Sequence, residues 1–264
     1  MKGEYEVRRD IVEAGRRMYM LGYVAANDGN ISARISETEF LCTPTGVSKG
    51  FMSVDDIIKV DIDCNKLSGK LSPSSEMKMH LEVYKNRPDV FSVCHAHPPT
   101  ATGFAVAGIP LDRNVLPEVV ITLGDIPIAE YGTPSTMEIP ASIRPYLQTH
   151  DAYLLANHGA LTVGPDVFSA FYKMETLEHF AKISMVARNL GNENEISKPE
   201  VQKLYEVRER LGVKGRHPSC QGCGACDAKG GAAGSGLADA AISEADLAEL
   251  VANVTKGVLA QLSR

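Results

Sequence analysis

The chain has 264 residues, 44% of them hydrophobic and 23% charged, with no Trp; this make-up excludes general disorder and allows one large domain with an appendage or two small ones. Lys and Arg number 27 against 33 Asp and Glu, a net charge of −6, so no basic field is available to gather nucleic acid or anionic lipid. No apolar run approaches the ~20 residues that cross a bilayer and the opening MKGEYEVRRD lacks the apolar stretch of a secretory signal, so a cytoplasmic protein with reduced thiols is expected.

In chain order, Val7, Ile11, Ala14, Met18 and Leu21 step by four and three and are followed by Gly22, which predicts an amphipathic first helix with a glycine stop. DGNIS at 28–32 and TPTG at 43–46 read as loops. Asn30, Thr45 and Gly46 can offer amide or hydroxyl hydrogens to an anion there, and the same residues equally serve plain turns. FLCTP, IIKVDID, VFSVCHAH, IPIAEY and DAYLLANHG are short, rich in β-branched residues and bounded by turn formers, which suits a sheet. SSEMKMHLEVYKN and VFSAFYKMETLEHFAKISMVARNL carry the helical period, the second bounded by Pro165 and Gly191. Strands interleaved with helices predict an α/β layered domain, and no internal repeat is present.

Two segments carry candidate chemistry. LSPSSE at 71–76 places Pro73, Ser74, Ser75 and Glu76 at a helix start near Ser74 or Ser75, where free backbone N–H groups suit a phosphate and where Ser and Glu also suit plain capping. His95 and His97 stand two apart at the end of a strand pattern, so they project to one side, and His158 ends the strand-like run LLANHG, with a glycine after it to let the chain turn. Three imidazoles leave a coordination position open, as in a catalytic zinc site; the alternative is polar residues at strand ends. His80 reads as structural, and Cys42, Cys64 and Cys94 as buried thiols, with Cys94 facing away from His95.

The composition breaks near residue 212. Tyr205 is the last aromatic, and ten of the fifteen residues 222–236 are Gly or Ala, the signature of a tether. Cys220, Cys223 and Cys226 follow His217 at intervals of three and suit a zinc or iron–sulfur centre as well as no centre at all. Leu247, Val251, Val254, Val258 and Leu262 then share one helical face, and a lone helix of this length needs a partner surface. The expected organisation is a catalytic domain at 1–212, a Cys-containing Gly/Ala-rich linker at 213–241 and an amphipathic helix at 242–264.

GNIS, TPTG, PSSE, HAH and NHG, in this order, resemble the class II aldolase and adducin-head family, in particular its aldolases of L-fuculose and L-rhamnulose phosphates, over residues 5–210. The resemblance implies a three-layer α/β/α sandwich around a largely antiparallel sheet, assembled as a homotetramer with active sites between subunits. It implies Zn2+ on His95, His97 and His158, Glu76 as the catalytic carboxylate that also touches the metal, and Asn30, Thr45, Gly46, Ser74 and Ser75 around the substrate phosphate. The implied reaction cleaves a ketose 1-phosphate to dihydroxyacetone phosphate and L-lactaldehyde. The alternatives are an L-ribulose-5-phosphate 4-epimerase type of enzyme and a non-catalytic adducin-like scaffold. The family's proton-donating Tyr aligns with Glu118, which leaves that role unassigned. The tail resembles the encapsulation peptides of bacterial microcompartment enzymes, which implies a shell-protein partner for 242–264 and a location in the microcompartment lumen.

Overall fold

Buried side chains along the strands divide between two cores with a period of two, as a sheet covered on both faces requires. In the computed structural model, which describes residues 2–218, the elements are α1 (Glu4–Met20), β1 (Asn30–Arg34), β2 (Glu39–Cys42), β3 (Ile58–Asp61), β4 (Lys66–Ser68), α2 (Met77–Asn86), β5 (Ser92–Ala96), α3 (Pro99–Ala107), α4 (Pro117–Thr122), β6 (Ile128–Ala129), α5 (Glu138–Ile143), β7 (Ala152–Leu155), β8 (Gly159–Gly164), α6 (Val167–Leu190) and α7 (Lys198–Arg210), with short 3-10 turns at Lys49–Phe51, Val54–Asp56 and Arg144–Tyr146. The strands form one sheet in the order β4-β3-β2-β1-β5-β8-β7-β6. Neighbours are antiparallel except the parallel pair β6 and β7.

Leu41, Cys94, Ala152 and Leu154 face a core shared with α1, α3 and α6. Phe40, Val93, Tyr153 and Leu155 face the opposite core, shared with α2 and α5. This is the expected three-layer α/β/α sandwich with a largely antiparallel sheet. Complete burial of Ile11 and Met18 on α1 contributes about 1.5–3 kcal/mol for each side chain. Arg87, just past α2, is also buried; it donates to the carbonyls of Leu147 and His150 and to Asp151, which anchors the start of β7.

Several expectations need correction. DGNIS is only half a loop, because Asn30 and Ser32 lie in β1, paired with His95 and Val93 of β5. The helix expected from Ser74 or Ser75 starts at Met77, since a bridge between Pro44 and Pro73 keeps the preceding segment extended. His158 does not end a strand: β7 stops at Leu155 and His158 sits in the turn to β8, where Asn157 takes φ +56°. Cys64 is half-buried at a turn with φ +68°, whereas Cys42 and Cys94 are buried as expected, and the Cys94 thiol contacts Met18. Of the expected linker, His217 is buried against Tyr205 and bonded to the Val120 carbonyl. Cys220, Cys223, Cys226, the Gly/Ala-rich run and the helix at 242–264 lie outside the described residues.

Candidate active site

The pairing of β1 with β5 puts Asn30 opposite His95, and the parity of β5 turns His95, like Val93, toward α2. Glu76 is the N-cap of α2. It does not bond the helix's free N–H groups; its Oε2 accepts Asn30 Nδ2 at 2.7 Å. One step further along both elements, Ser32 Oγ meets His80 Nδ1 at 2.7 Å and Tyr84 Oη at 2.8 Å. His80 is therefore buried and structural as expected, with burial pushing its imidazole down to about 4.

Three imidazoles surround the Glu76 carboxylate. His95 is fully buried, and its Nδ1 lies 2.9 Å from the Ala160 carbonyl. A carbonyl only accepts, so Nδ1 carries the proton and Nε2 presents a lone pair. That Nε2 stands 3.2 Å from His97 Nε2 and 3.5 Å from Glu76 Oε2. His158 Nε2 lies 3.1 Å from Glu76 Oε1, and a nitrogen from each ring falls within 4.8 Å of the others. Gly159 is needed for this approach rather than for a turn, because a Cβ there would stand 2.5 Å from Ala96 O and 2.7 Å from His97 Cδ2.

The electrostatics favour neutral His95 and His97 rings beside a charged carboxylate. Burial pushes His95 down to about 3 and also lowers His97. Burial alone would raise Glu76, but His95, His158 and the Asn30 amide outweigh it and hold the carboxyl well below the usual range. Buried His158 Nδ1 has no hydrogen-bond partner among the described residues, and Glu76 Oε1 has His158 Nε2 as its neighbour. Neutral nitrogens with an ionised oxygen are a donor set for a borderline divalent cation. Two nitrogens bound tetrahedrally at 2.0–2.1 Å stand about 3.3 Å apart, close to the 3.2 Å between His95 and His97. The residues present therefore fit a zinc-type ion.

The anion-binding candidates adjoin this cluster. Thr45 N donates to Ser72 O at 3.0 Å and Ser74 N to Thr43 O at 3.3 Å, which pairs the TPTG loop with the segment before α2. Thr43 in turn bonds Ile31 of β1. Thr45, Gly46 and Ser75 are exposed and Ser74 is half-buried, so the hydroxyls of Thr45, Ser74 and Ser75 lie toward the rim. Glu118 is exposed in the first turn of α4.

Two residues of this region escape sequence reasoning. Asp28 Oδ2 lies 3.5 Å from His97 Nδ1, placed to orient that ring; its only signal is a carboxylate two positions before Asn30. Lys49 is almost fully buried and donates to the carbonyls of Asn27 and Val47. A single Lys after a turn motif carries no sign of burial.

The family described as Class II Aldolase and Adducin N-terminal domain matches residues 9–185. The chain belongs to that family. Among its relatives is the L-fuculose phosphate aldolase of Methanococcus maripaludis strain S2, 32% identical over 181 residues, which are 69% of this chain and 97% of that protein. The 3-oxo-tetronate 4-phosphate decarboxylase of Haemophilus influenzae is also 32% identical, over 66% of this chain and 84% of its own length. A solved L-fuculose 1-phosphate aldolase superposes with a TM-score of 0.72 at 29% identity, covering 77% of this chain and 96% of that one. Among the described residues of this class II aldolase family member, no helix is long and apolar enough to cross a membrane.

Proposed function

We propose that the chain is a zinc-dependent lyase that reversibly cleaves L-fuculose 1-phosphate, or its L-rhamnulose isomer, to dihydroxyacetone phosphate and L-lactaldehyde. The observation that carries this reading is the convergence of His95, His97 and His158, with the Glu76 carboxylate set against His95 and His158. A scaffold has no use for such a cluster. In the proposal the three imidazoles, with Glu76 at rest, hold the ion, which when bound supplies Lewis acidity toward a carbonyl oxygen that gains negative charge.

The chain's own residues supply the rest. Asn30 fixes Oε2 of Glu76, while Oε1 faces His158 Nε2 across the cluster; in the proposal Oε1 takes a proton from C3 of dihydroxyacetone phosphate in the synthetic direction and returns it in cleavage. General bases of this kind contribute about 10² to 10⁴ in rate. Asn30, Thr45, Gly46, Ser74 and Ser75 bind the phosphate, and binding energy taken from that handle orients the reacting carbons. His95 and Ala160 exclude water from the back of the cluster.

A second reading has specific support. The decarboxylase relative is as similar in identity as the aldolase relative, and loss of CO2 beside a carbonyl builds up the same negative charge on carbon. Aldol cleavage must also remove the proton of the C4 hydroxyl, whereas decarboxylation has no such proton; Glu118, exposed on α4, is the aligned residue. A coupled assay with L-fuculose 1-phosphate, L-rhamnulose 1-phosphate, L-ribulose 5-phosphate and 3-oxo-tetronate 4-phosphate tests both readings. The proposal predicts turnover of the first or second, and turnover of the fourth alone replaces it with the decarboxylase.

The same proposal includes a cytoplasmic homotetramer carried into a microcompartment by residues 242–264, supported by the apolar stripe of that segment.

A further inference from the structure

One side chain joins two loops of the candidate site. Lys49 Nζ donates to Asn27 O at 2.9 Å and to Val47 O at 2.7 Å. Asn27 precedes the run that ends in Asn30, and Val47 directly follows Thr45 and Gly46. The residue is 1% exposed, which is unusual for a lysine. Its place is built in from the far side, because Gly15 of α1 lets the backbone approach; a Cβ there would stand 2.9 Å from Lys49 O.

The two carbonyls satisfy hydrogen bonds but supply no counter-charge, and among the described residues no carboxylate stands in direct contact with the buried ammonium. Burial pulls it down to about 8, opposed by Asp28 and Glu76, both of which belong to the site. An apolar side chain of equal length would fill the same space without that cost. A dianion brought to the rim of the TPTG loop would supply the missing counter-charge.

We propose that Lys49 is a positioning residue that makes the site selective for a phosphorylated substrate. It sets the spacing between the segment that leads into Asn30 and the 43–47 loop, and it places a buried positive charge on the backbone that carries both. Its contacts run to backbone carbonyls, so it acts through Asn30, Thr45 and Gly46. This deepens the sugar-phosphate reading and rests on it.

The test uses the zinc-loaded full chain and compares wild type with Lys49→Met and Lys49→Arg. Inorganic phosphate serves as the probe, read as a competitive inhibitor and by calorimetry, beside kcat and KM for the ketose 1-phosphate and for the unphosphorylated ketose. Lys49→Met should weaken phosphate binding at least tenfold and raise KM for the phosphorylated ketose by a similar factor. Its loss of kcat/KM should be at least tenfold greater for the phosphorylated than for the unphosphorylated sugar, and Lys49→Arg should recover most of the phosphate affinity. Should the Met variant not fold, Lys49→Gln, which keeps a donor for one carbonyl, takes its place with the same expected loss. Unchanged phosphate affinity, or equal losses on both sugars, overturns the role of Lys49. A wild type indifferent to phosphate overturns the sugar-phosphate reading itself and this proposal with it.

Discussion

Asn30 Nδ2 donates to Glu76 Oε2 at 2.7 Å, so the residue that opens β1 and the residue that caps α2 hold one another. The pairing repeats one step along, where Ser32 meets His80 and Tyr84. A strand period of two and a helical step of four are thus brought into register, and a carboxylate at a helix start is aimed at the sheet rather than at solvent.

If Glu76 is the base, Glu76→Gln should lower kcat by about 10² to 10⁴, because the amide keeps a hydrogen bond to Asn30 but takes no proton. The three histidines remain, so zinc content should stay near wild type. Steady-state kinetics beside metal analysis checks both, and full activity of the variant removes the assignment.

Gly159→Ala should disturb the cluster without removing any ligand side chain. The added Cβ would meet Ala96 O and His97 Cδ2, and overpacking of this kind costs about 1–3 kcal/mol. Displaced rings should also weaken zinc by roughly 10- to 100-fold. Chelator competition and urea unfolding measure the two effects.

Acid should destabilise the protein partly through His80. Burial holds its folded pKa at about 4, below the ordinary 6.5, so the unfolded chain binds the extra proton first. The contribution is complete above pH 6.5 and is lost as the pH falls toward 4, at about 1.4 kcal/mol per unit. Urea unfolding should show a shallower loss over that window in His80→Gln than in wild type.

Much of the frame is legible in the sequence, for physical reasons. α6 runs over Val167–Leu190 as the pattern indicates, because Asp166 caps its first turn through Ser169 and Gly191 ends it. The histidine cluster is legible because strand parity puts 95 and 97 on one side. β1 is hidden behind the turn signal of Asp-Gly-Asn, and β8 begins and ends on glycine, so local chemistry points to loops where tertiary pairing makes strands. Asp28 and Lys49 are hidden because their roles depend on what packs against them, which no spacing encodes.

Deletion of residues 241–264 should leave cleavage activity at the wild-type level and abolish co-localisation with a shell when both are expressed together. Loss of the oligomer on gel filtration would instead assign that segment to subunit assembly.

The proposed chemistry requires that His95, His97 and His158 hold one divalent ion. Equilibrium dialysis of the purified chain against zinc, with cleavage assayed on the same samples, tests it most directly. Wild type should bind one zinc per chain, with activity that disappears with chelator and returns with zinc, and His95→Ala should lose both. Full turnover by metal-free protein, or undiminished zinc binding by the variant, would contradict it.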